Sequence, residues 1–128
     1  MARKLKHRYT VLVCGGRDYD DSNKVHRVLD HLHATYTITY LIHGGAKGAD
    51  GYASAWCKIA KGVNEVIVPA LWGKNKKGAG PIRNRAMRDL CAIDKVVAFP
   101  GASGTEDMVK CAKELGIRVM RVTPAKAK

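Results

Sequence analysis

The sequence predicts an α/β fold: one doubly wound domain with a five-stranded parallel sheet and helices on both faces. Short apolar runs alternate with amphipathic stretches along the chain, and this alternation implies parallel strands joined by right-handed helical crossovers. The apolar runs show little polar alternation, which is typical of strands buried on both faces. A length of 128 residues fits one domain with one core.

The first half of this fold begins with a predicted strand at Tyr9–Cys14, followed by a GGRDYDD turn. Ser22 is predicted to N-cap the first helix. The second strand is Ile38–His43, and Gly62 is predicted to end the helix that follows it. Both helices have one apolar face at i, i+3, i+4, i+7 spacing. These faces are Val25, Val28, Leu29 and Leu32 in the first helix, and Ala53, Trp56, Cys57 and Ala60 in the second.

The second half has predicted strands at 65–69, 95–100 and 117–122. A glycine- and lysine-rich loop at 70–80 leads to Pro81, which suits the first turn of a third helix. Gly116 is predicted to end the fourth helix. The predicted inner faces are Ile82, Ala86 and Leu90 in the third helix, and Met108, Cys111, Ala112 and Leu115 in the fourth. The domain is expected to span 9–122, between basic tails at 1–8 and 123–128.

The charge is the unusual feature of the composition. Lysine and arginine number 23 against 11 acidic residues, a formal net charge of +12. This excess favours phosphate ligands or polyanionic partners, and a merely solvated surface is an equally good interpretation. The basic residues concentrate in both tails, in the third helix and in the middle loop at Lys74, Lys76 and Lys77. Aromatic residues make up 6%, which is few for a protein that stacks many bases.

Cysteine usage and hydropathy indicate a cytoplasmic protein with no membrane partner. The four cysteines, Cys14, Cys57, Cys91 and Cys111, form no CxxC pair and are predicted to be small buried hydrophobes in a reducing compartment. No apolar run reaches the ~18 residues of a membrane span, and no signal-peptide pattern follows the basic N-terminus.

Three glycine-rich loops follow predicted strands and lead into helices. In open α/β sheets, ligands bind outside the carboxyl ends of the strands, where strand order reverses. Glycine lets the backbone approach a ligand closely, and a helix N-terminus offers unpaired N–H groups to a phosphate. An ordinary tight turn explains any one loop, but all three together predict a phosphate-binding site. Its candidate residues are Gly15, Gly16, Arg17 and Asp18; Gly44, Gly45, Lys47, Gly48 and Asp50; and Gly101, Ser103, Gly104 and Thr105.

Further candidates open the third helix. Arg83, Asn84 and Arg85 stand together there, and because the two arginines are two positions apart, they cannot face the same way. Either one of them binds a phosphate through its guanidinium, or both are solvated. Asp18 and Asp50 either accept hydrogen bonds from ribose hydroxyls or cap their own loops.

Several common kinds of site are missing from the sequence. It has no Walker A or complete GxGxxG fingerprint, no Ser/His/Asp arrangement and no convincing metal site, so we expect neither a metal nor a cofactor. His43 lies at the end of the second strand. We interpret it as a hydrogen-bonded structural residue, and contact with a ligand is the alternative.

Four motifs in order, GGRDY, HGGAKGAD, GPIRNRAM and FPGASGT, resemble the SLOG superfamily, and within it the small YspA-type, YpsA-related proteins. The resemblance covers about residues 9 to 122. It implies a Rossmann-like fold and a nucleotide-like ligand. The superfamily includes the LOG phosphoribohydrolases, the DNA-uptake protein DprA and sensors of nucleotide-derived signals, so the resemblance alone does not choose a role.

One departure from the LOG pattern concerns catalysis. LOG enzymes carry a PGGxGTxxE motif whose last Glu is catalytic, and residues 100–108 of this chain resemble that motif. Here Met108 holds the position of the Glu, and it also begins the apolar stripe of the fourth helix. If the protein is an enzyme, the resemblance leaves Arg85, Glu106 and Asp107 as catalytic candidates. The two acids otherwise favour the helix N-terminus electrostatically.

Three functions therefore remain open. The first is binding of a nucleotide or an ADP-ribose-like ligand by a sensor or sequestering protein. The second is hydrolysis of a nucleoside monophosphate by a LOG-like phosphoribohydrolase or a related N-glycosidase. The third is DprA-like binding of single-stranded nucleic acid through the basic surface, to which the RNR run at 83–85 adds. Relatives often dimerise, and the helix faces are compatible with a homo-oligomer.

Overall fold

The fold is built on a five-stranded parallel sheet with the strand order β3-β2-β1-β4-β5. The structure is a computed structural model that describes residues 8–70 and 78–123. The strands are β1 Tyr9–Cys14, β2 Ile38–His43, β3 Asn64–Ile67, β4 Lys95–Ala98 and β5 Val119–Arg121. The predicted fold class is confirmed.

Among the described residues, two helices cover each face of the sheet. They are α1 Ser22–Tyr36, α2 Ala49–Ile59, α3 Ala79–Asp89 and α4 Ser103–Glu114. Alternate residues of β1 enter two separate cores because successive side chains of a strand point to opposite faces. Val11 and Val13 pack with α1 and α2, whereas Leu12 and Cys14 pack with α3 and α4.

Strand order reverses at the centre of the sheet, and this reversal creates the crevice in which a ligand can bind. From β1 the chain crosses to β2 on one side, and β4 lies on the other side of β1. Cys14 is in register with Ala98, so β1 and β4 end at the same level. Beyond them the Gly16 N–H donates to the Pro100 carbonyl at 2.8 Å. The loops that follow these two strands therefore begin side by side and then diverge.

Most predicted elements are present, with small shifts at their ends. Asp21, not Ser22, is the N-cap of α1, because its carboxylate accepts from the Lys24 N–H at 3.0 Å. Helix α2 ends at Ile59 with Ala60 as its C-cap, before Gly62. The strands β3, β4 and β5 are shorter than their apolar runs. Gly116 has a φ of +72° directly after the end of α4, as predicted.

The predicted inner face of α3 is wrong. Ile82 and Leu90 are each 53% exposed, whereas the helix buries Ala79, Asn84 and Met87. The helix is rotated so that a polar side chain, Asn84, faces inward, because its amide makes hydrogen bonds there. An apolar-periodicity argument assumes that buried residues are apolar, and this helix violates that assumption.

Some predictions fall on residues outside the described ranges. They concern Lys74, Lys76 and Lys77 in the middle loop and most of both tails. Among the helices that the structure describes, none has the length and apolar character needed to cross a membrane.

Candidate functional site

A large cavity of about 1360 Å³ lies at the carboxyl ends of the strands. Its walls come from the loops after β1, β2 and β4, from Pro69 and Ala70 after β3, and from the start of α3. Of the predicted site residues, those that line it are Gly15, Gly16, Arg17, Asp18, Gly44, Gly45, Asp50, Arg83, Asn84, Gly101, Ser103, Gly104, Thr105 and Asp107. Four others, Lys47, Gly48, Arg85 and Glu106, are not among its lining residues.

The glycines bring the loops into contact with one another. A Cβ at Gly15 would lie 2.6 Å from the Cβ of Ala49 and 2.9 Å from that of Phe99. Gly48 has a φ of +73°, and a Cβ there would collide with the Gly16 carbonyl. That carbonyl accepts from the Ala49 N–H at 3.3 Å, which ties the β1 loop to the start of α2. The glycines therefore let the loops pack together at the base of the cavity. Gly48 does not line the cavity, but it packs against the backbone of the β1 loop.

The N-terminus of α4 opens into this cavity. Its N-cap is Ala102, which provides no side-chain hydrogen bond, whereas Asp21 caps α1. The first N–H groups of a helix have no partner within the helix. Ser103 and Gly104, at the start of α4, are both exposed and line the cavity. These N–H groups and the positive end of the helix dipole favour an anion here.

Asn84 connects three walls of the cavity. It is 4% exposed, and its amide nitrogen donates to the Gly104 carbonyl at 3.2 Å and to Asp107 Oδ2 at 2.9 Å. Its amide oxygen accepts from Arg83 Nε at 3.1 Å. Arg83 Nη1 in turn donates to the Gly44 carbonyl at 3.2 Å. Asn84 therefore orients Arg83 and joins α3 to the start of α4.

The structure does not bring the candidate catalytic residues together at one point. Glu106 is exposed and forms a bidentate ion pair with Arg121, at 2.8 and 2.9 Å, which lowers the pKa of its carboxyl. Arg85 Nη1 donates to Asp107 Oδ2 at 3.2 Å. Met108 is fully buried in the core under α4, as its apolar spacing predicts. Of these four residues, only Asp107 lines the cavity.

The cysteines provide no reactive thiolate in the cavity. Cys14 lines it, but burial raises the pKa of this thiol to about 12, so the thiol stays protonated at neutral pH. Cys57 and Cys111 are buried in the two cores. Cys91 is exposed, which corrects the prediction that all four cysteines are buried.

Asp50 is a buried carboxylate in the first turn of α2. It is 6% exposed, and its Oδ2 accepts from the N–H groups of Gly44 at 3.1 Å and Ala46 at 3.2 Å. Burial raises the pKa of this carboxyl, against the opposing effects of the Ala46 N–H, His43 and Arg83. Of the two roles expected for Asp50, the structure shows that it caps its own loop, and contact with a ribose hydroxyl stays a prediction. Asp18 is exposed in the β1 loop and makes no hydrogen bond to the described residues.

His43 and Glu65 support the same loop from below. The ring of His43 is 1% exposed, and its Nδ1 accepts from the Gly45 N–H at 2.9 Å. Nε2 must then carry the proton, which it donates to Glu65 Oε2 at 2.6 Å. Burial acts to raise the pKa of Glu65, but the Ser54 hydroxyl and the His43 ring outweigh it and lower that pKa. Sequence reasoning missed Glu65; an acid at the start of an apolar strand was the available signal.

Replacing Glu65 tests this support. Glu65→Ala leaves the buried His43 Nε2–H unpaired and is expected to destabilise the fold by about 1–3 kcal/mol. Glu65→Gln keeps an oxygen for that proton and is expected to cost less than about 1 kcal/mol. Urea unfolding at neutral pH measures both changes. Equal losses in the two variants would contradict the role assigned to the His43 hydrogen bond.

The sheet order and the cavity at the strand ends define a Rossmann-like α/β protein. A family model, described as the YspA, cpYpsA-related SLOG family, matches residues 9–74, and this chain belongs to that family. The chain is also similar to the Gene 61 protein of Mycobacterium phage D29, with 35% identity over 121 residues, 86% of this chain and 93% of the relative. No solved structure matches it significantly. The family predicted from the four motifs is confirmed.

Proposed function

We propose that this protein binds a nucleotide or a nucleotide-derived, ADP-ribose-like ligand, with a phosphate at the N-terminus of α4, as a sensor or sequestering protein. One observation carries the proposal: three glycine-rich loops converge on one cavity, and α4, whose first residues Ser103 and Gly104 line it, has no side-chain cap. An uncapped helix N-terminus with glycine at its second position lets a phosphate approach several N–H groups together.

Two arginines in the cavity wall, which five aspartates also line, support a phosphate ligand. Arg83 and Arg17 both line it. Arg83 is held by Asn84 and Gly44, while its Nη2 makes no hydrogen bond to the described residues. A guanidinium fixed in this way loses little conformational entropy when it binds a phosphate oxygen. The volume of about 1360 Å³ exceeds that of a phosphate alone, so the ligand has room for a sugar and a base.

The same geometry favours holding the ligand over hydrolysing it. Met108 is buried at the position of the LOG catalytic Glu, and Glu106 is paired with Arg121 outside the cavity lining. Asp107 lines the cavity, but both of its oxygens already accept hydrogen bonds, from Asn84 and Arg85. A general acid must instead reach the leaving group of the substrate.

Gly104 offers a direct test of the phosphate position. A Cβ at this residue would meet no atom within 4 Å, so a side chain can start there without displacing a neighbour. Gly104→Asp puts a carboxylate beside the proposed phosphate and is expected to weaken binding at least 10-fold, whereas the isosteric, neutral Gly104→Asn weakens it much less. Isothermal titration calorimetry of the full chain with AMP, ADP and ADP-ribose measures the difference.

Two results would overturn the proposal. One is a folded wild-type chain that binds none of the three ligands. The other is equal binding by the Asp and Asn variants, because the phosphate would then lie elsewhere. Release of free adenine during prolonged incubation with AMP would favour the hydrolase, and oligonucleotide binding that falls steeply with salt would favour the nucleic-acid binder.

A further inference from the structure

The carboxylate of Asp50, which lines the cavity, has one oxygen that the described residues do not use. Both hydrogen bonds that the described residues make to this side chain go to Oδ2, from Gly44 and Ala46. Oδ1 accepts none from the described part of the chain, although the residue is only 6% exposed. A buried carboxylate oxygen without a donor is costly. The position therefore favours any bound group that can donate a hydrogen bond.

No cation of the described residues neutralises Asp50 directly. The charge of Arg83 acts to lower the pKa of Asp50. However, Arg83 donates its Nε and Nη1 hydrogen bonds to Asn84 and to the Gly44 carbonyl rather than to Asp50. His43 also faces Asp50, and its two ring nitrogens are committed to Gly45 and Glu65. Cys14 faces Asp50 from β1 as a protonated thiol. The neighbours of Asp50 hold its position and leave Oδ1 available.

Asp50 and the N-terminus of α4 lie in the wall of the same cavity, and they favour ligand groups of opposite charge and hydrogen-bonding role. The α4 end offers N–H donors and a positive dipole. Asp50 offers an acceptor with a negative charge, and it belongs to a different strand-end loop. A ligand that satisfies both places carries an anionic group at one end and hydroxyl donors at the other.

We infer that Asp50 is the specificity-determining residue of the cavity, and that its Oδ1 accepts from a ribose hydroxyl of a ribonucleoside phosphate. The inference rests on the proposed function, because it takes the phosphate to lie at α4. Oδ2 keeps its two backbone donors, so one carboxylate oxygen of Asp50 caps the loop while the other contacts the ligand. Ligands that lack the hydroxyls leave Oδ1 unpaired and bind more weakly.

The substitution Asp50→Asn separates the two roles of the side chain. The amide oxygen can accept from Gly44 and Ala46 as Oδ2 does, while the amide nitrogen replaces Oδ1 and turns an acceptor into a donor. Calorimetry of the full chain with AMP and with 2′,3′-dideoxy-AMP provides the comparison. The wild-type chain is expected to prefer AMP by about 10- to 100-fold. Asp50→Asn is expected to lose most of that preference, because a neutral amide cannot replace the charge-assisted hydrogen bond, while its weak affinity for dideoxy-AMP persists.

A pH series on the wild-type chain gives a second measurement, which holds even if Asp50→Asn fails to fold. The acceptor is the ionised carboxylate, and burial raises the pKa at which Asp50 loses this charge as pH falls. The preference for AMP over dideoxy-AMP is therefore expected to shrink as pH falls through that pKa. Any effect of pH that acts on both ligands equally cancels in the ratio of the two affinities.

A wild-type chain that binds AMP and dideoxy-AMP equally, or an Asp50→Asn variant that keeps the full preference, would overturn the inference and leave the proposed function standing. A ratio of affinities that does not change with pH would also overturn it. If the wild-type chain binds no AMP, the inference fails as well, and the ADP and ADP-ribose titrations decide whether the proposed function fails with it.

Discussion

Gly48→Ala is expected to destabilise the fold by about 2–6 kcal/mol. The residue has a φ of +73° and a ψ of −128°, a region that residues with a Cβ rarely enter, and such strain costs about 1–3 kcal/mol. The new Cβ would also collide with the Gly16 carbonyl and lie 2.7 Å from the Arg17 carbonyl. Overpacking of this kind adds about 1–3 kcal/mol, because both obstacles are backbone atoms. The predicted loss is a large share of the ~5–15 kcal/mol that stabilises a domain.

Gly62→Ala is the matched control. Gly62 also has a positive φ, +80°, but a Cβ there would meet no atom within 4 Å. Its substitution is therefore expected to cost only the backbone term, about 1 kcal/mol. Urea and thermal unfolding of the two variants separate the strain from the collision. Similar losses in both would show that the contact between the β1 and β2 loops contributes nothing at Gly48.

The difference between Gly48 and Gly62 shows which property of a site glycine cannot be predicted from the sequence. The loop at 44–50 follows a predicted strand, and parallel strands place all such loops at one edge, so topology alone locates it. The sequence cannot tell a glycine that touches a ligand from one that touches another loop. Gly48 and Gly15 contact neighbouring loops through backbone and Cβ atoms that only the tertiary fold brings near.

The fold was more predictable than the site, for a related reason. Strand and helix types follow from hydrophobic periodicity, and β1, β2 and α1 therefore lie close to where their patterns indicate. The pattern misleads in α3, where Ile82 and Leu90 are exposed and Asn84 is buried. An inward polar residue is favourable only when its partners are in place, and the partners of Asn84 lie 20 and 23 positions away, at Gly104 and Asp107.

The paired arginines illustrate the same point. Their spacing predicts that they face different ways, and Arg83 lines the cavity whereas Arg85 is not among its lining residues. Spacing alone does not say which of the two turns inward. That choice is set by the Gly44 carbonyl and by Asn84, which together take two of the guanidinium nitrogens of Arg83.

Asn84→Ala is expected to destabilise the fold by about 2–4 kcal/mol and to weaken ligand binding. The change removes three hydrogen bonds at a position that is 4% exposed, and it leaves Arg83 Nε and the Gly104 carbonyl without a partner from this side chain. Partly buried polar groups left unpaired account for most of that cost. Asn64→Ala is the control, because its exposed side chain makes one hydrogen bond, to the Thr39 carbonyl at 3.1 Å. Its expected cost is about 0.5–1 kcal/mol.

A charge exchange tests whether the contact between Asn84 and Asp107, at 2.9 Å, links α3 to α4. Asn84→Asp keeps the shape of the side chain but sets one carboxylate against another, so it is expected to cost at least as much as Asn84→Ala at neutral pH and less in acid. Adding Asp107→Asn restores a donor and an acceptor with their positions exchanged. A double-mutant cycle measured by urea unfolding is therefore expected to recover about 1 kcal/mol or more. Strictly additive losses would mean that the two side chains do not act together, and that the start of α4 is held by its backbone contacts instead.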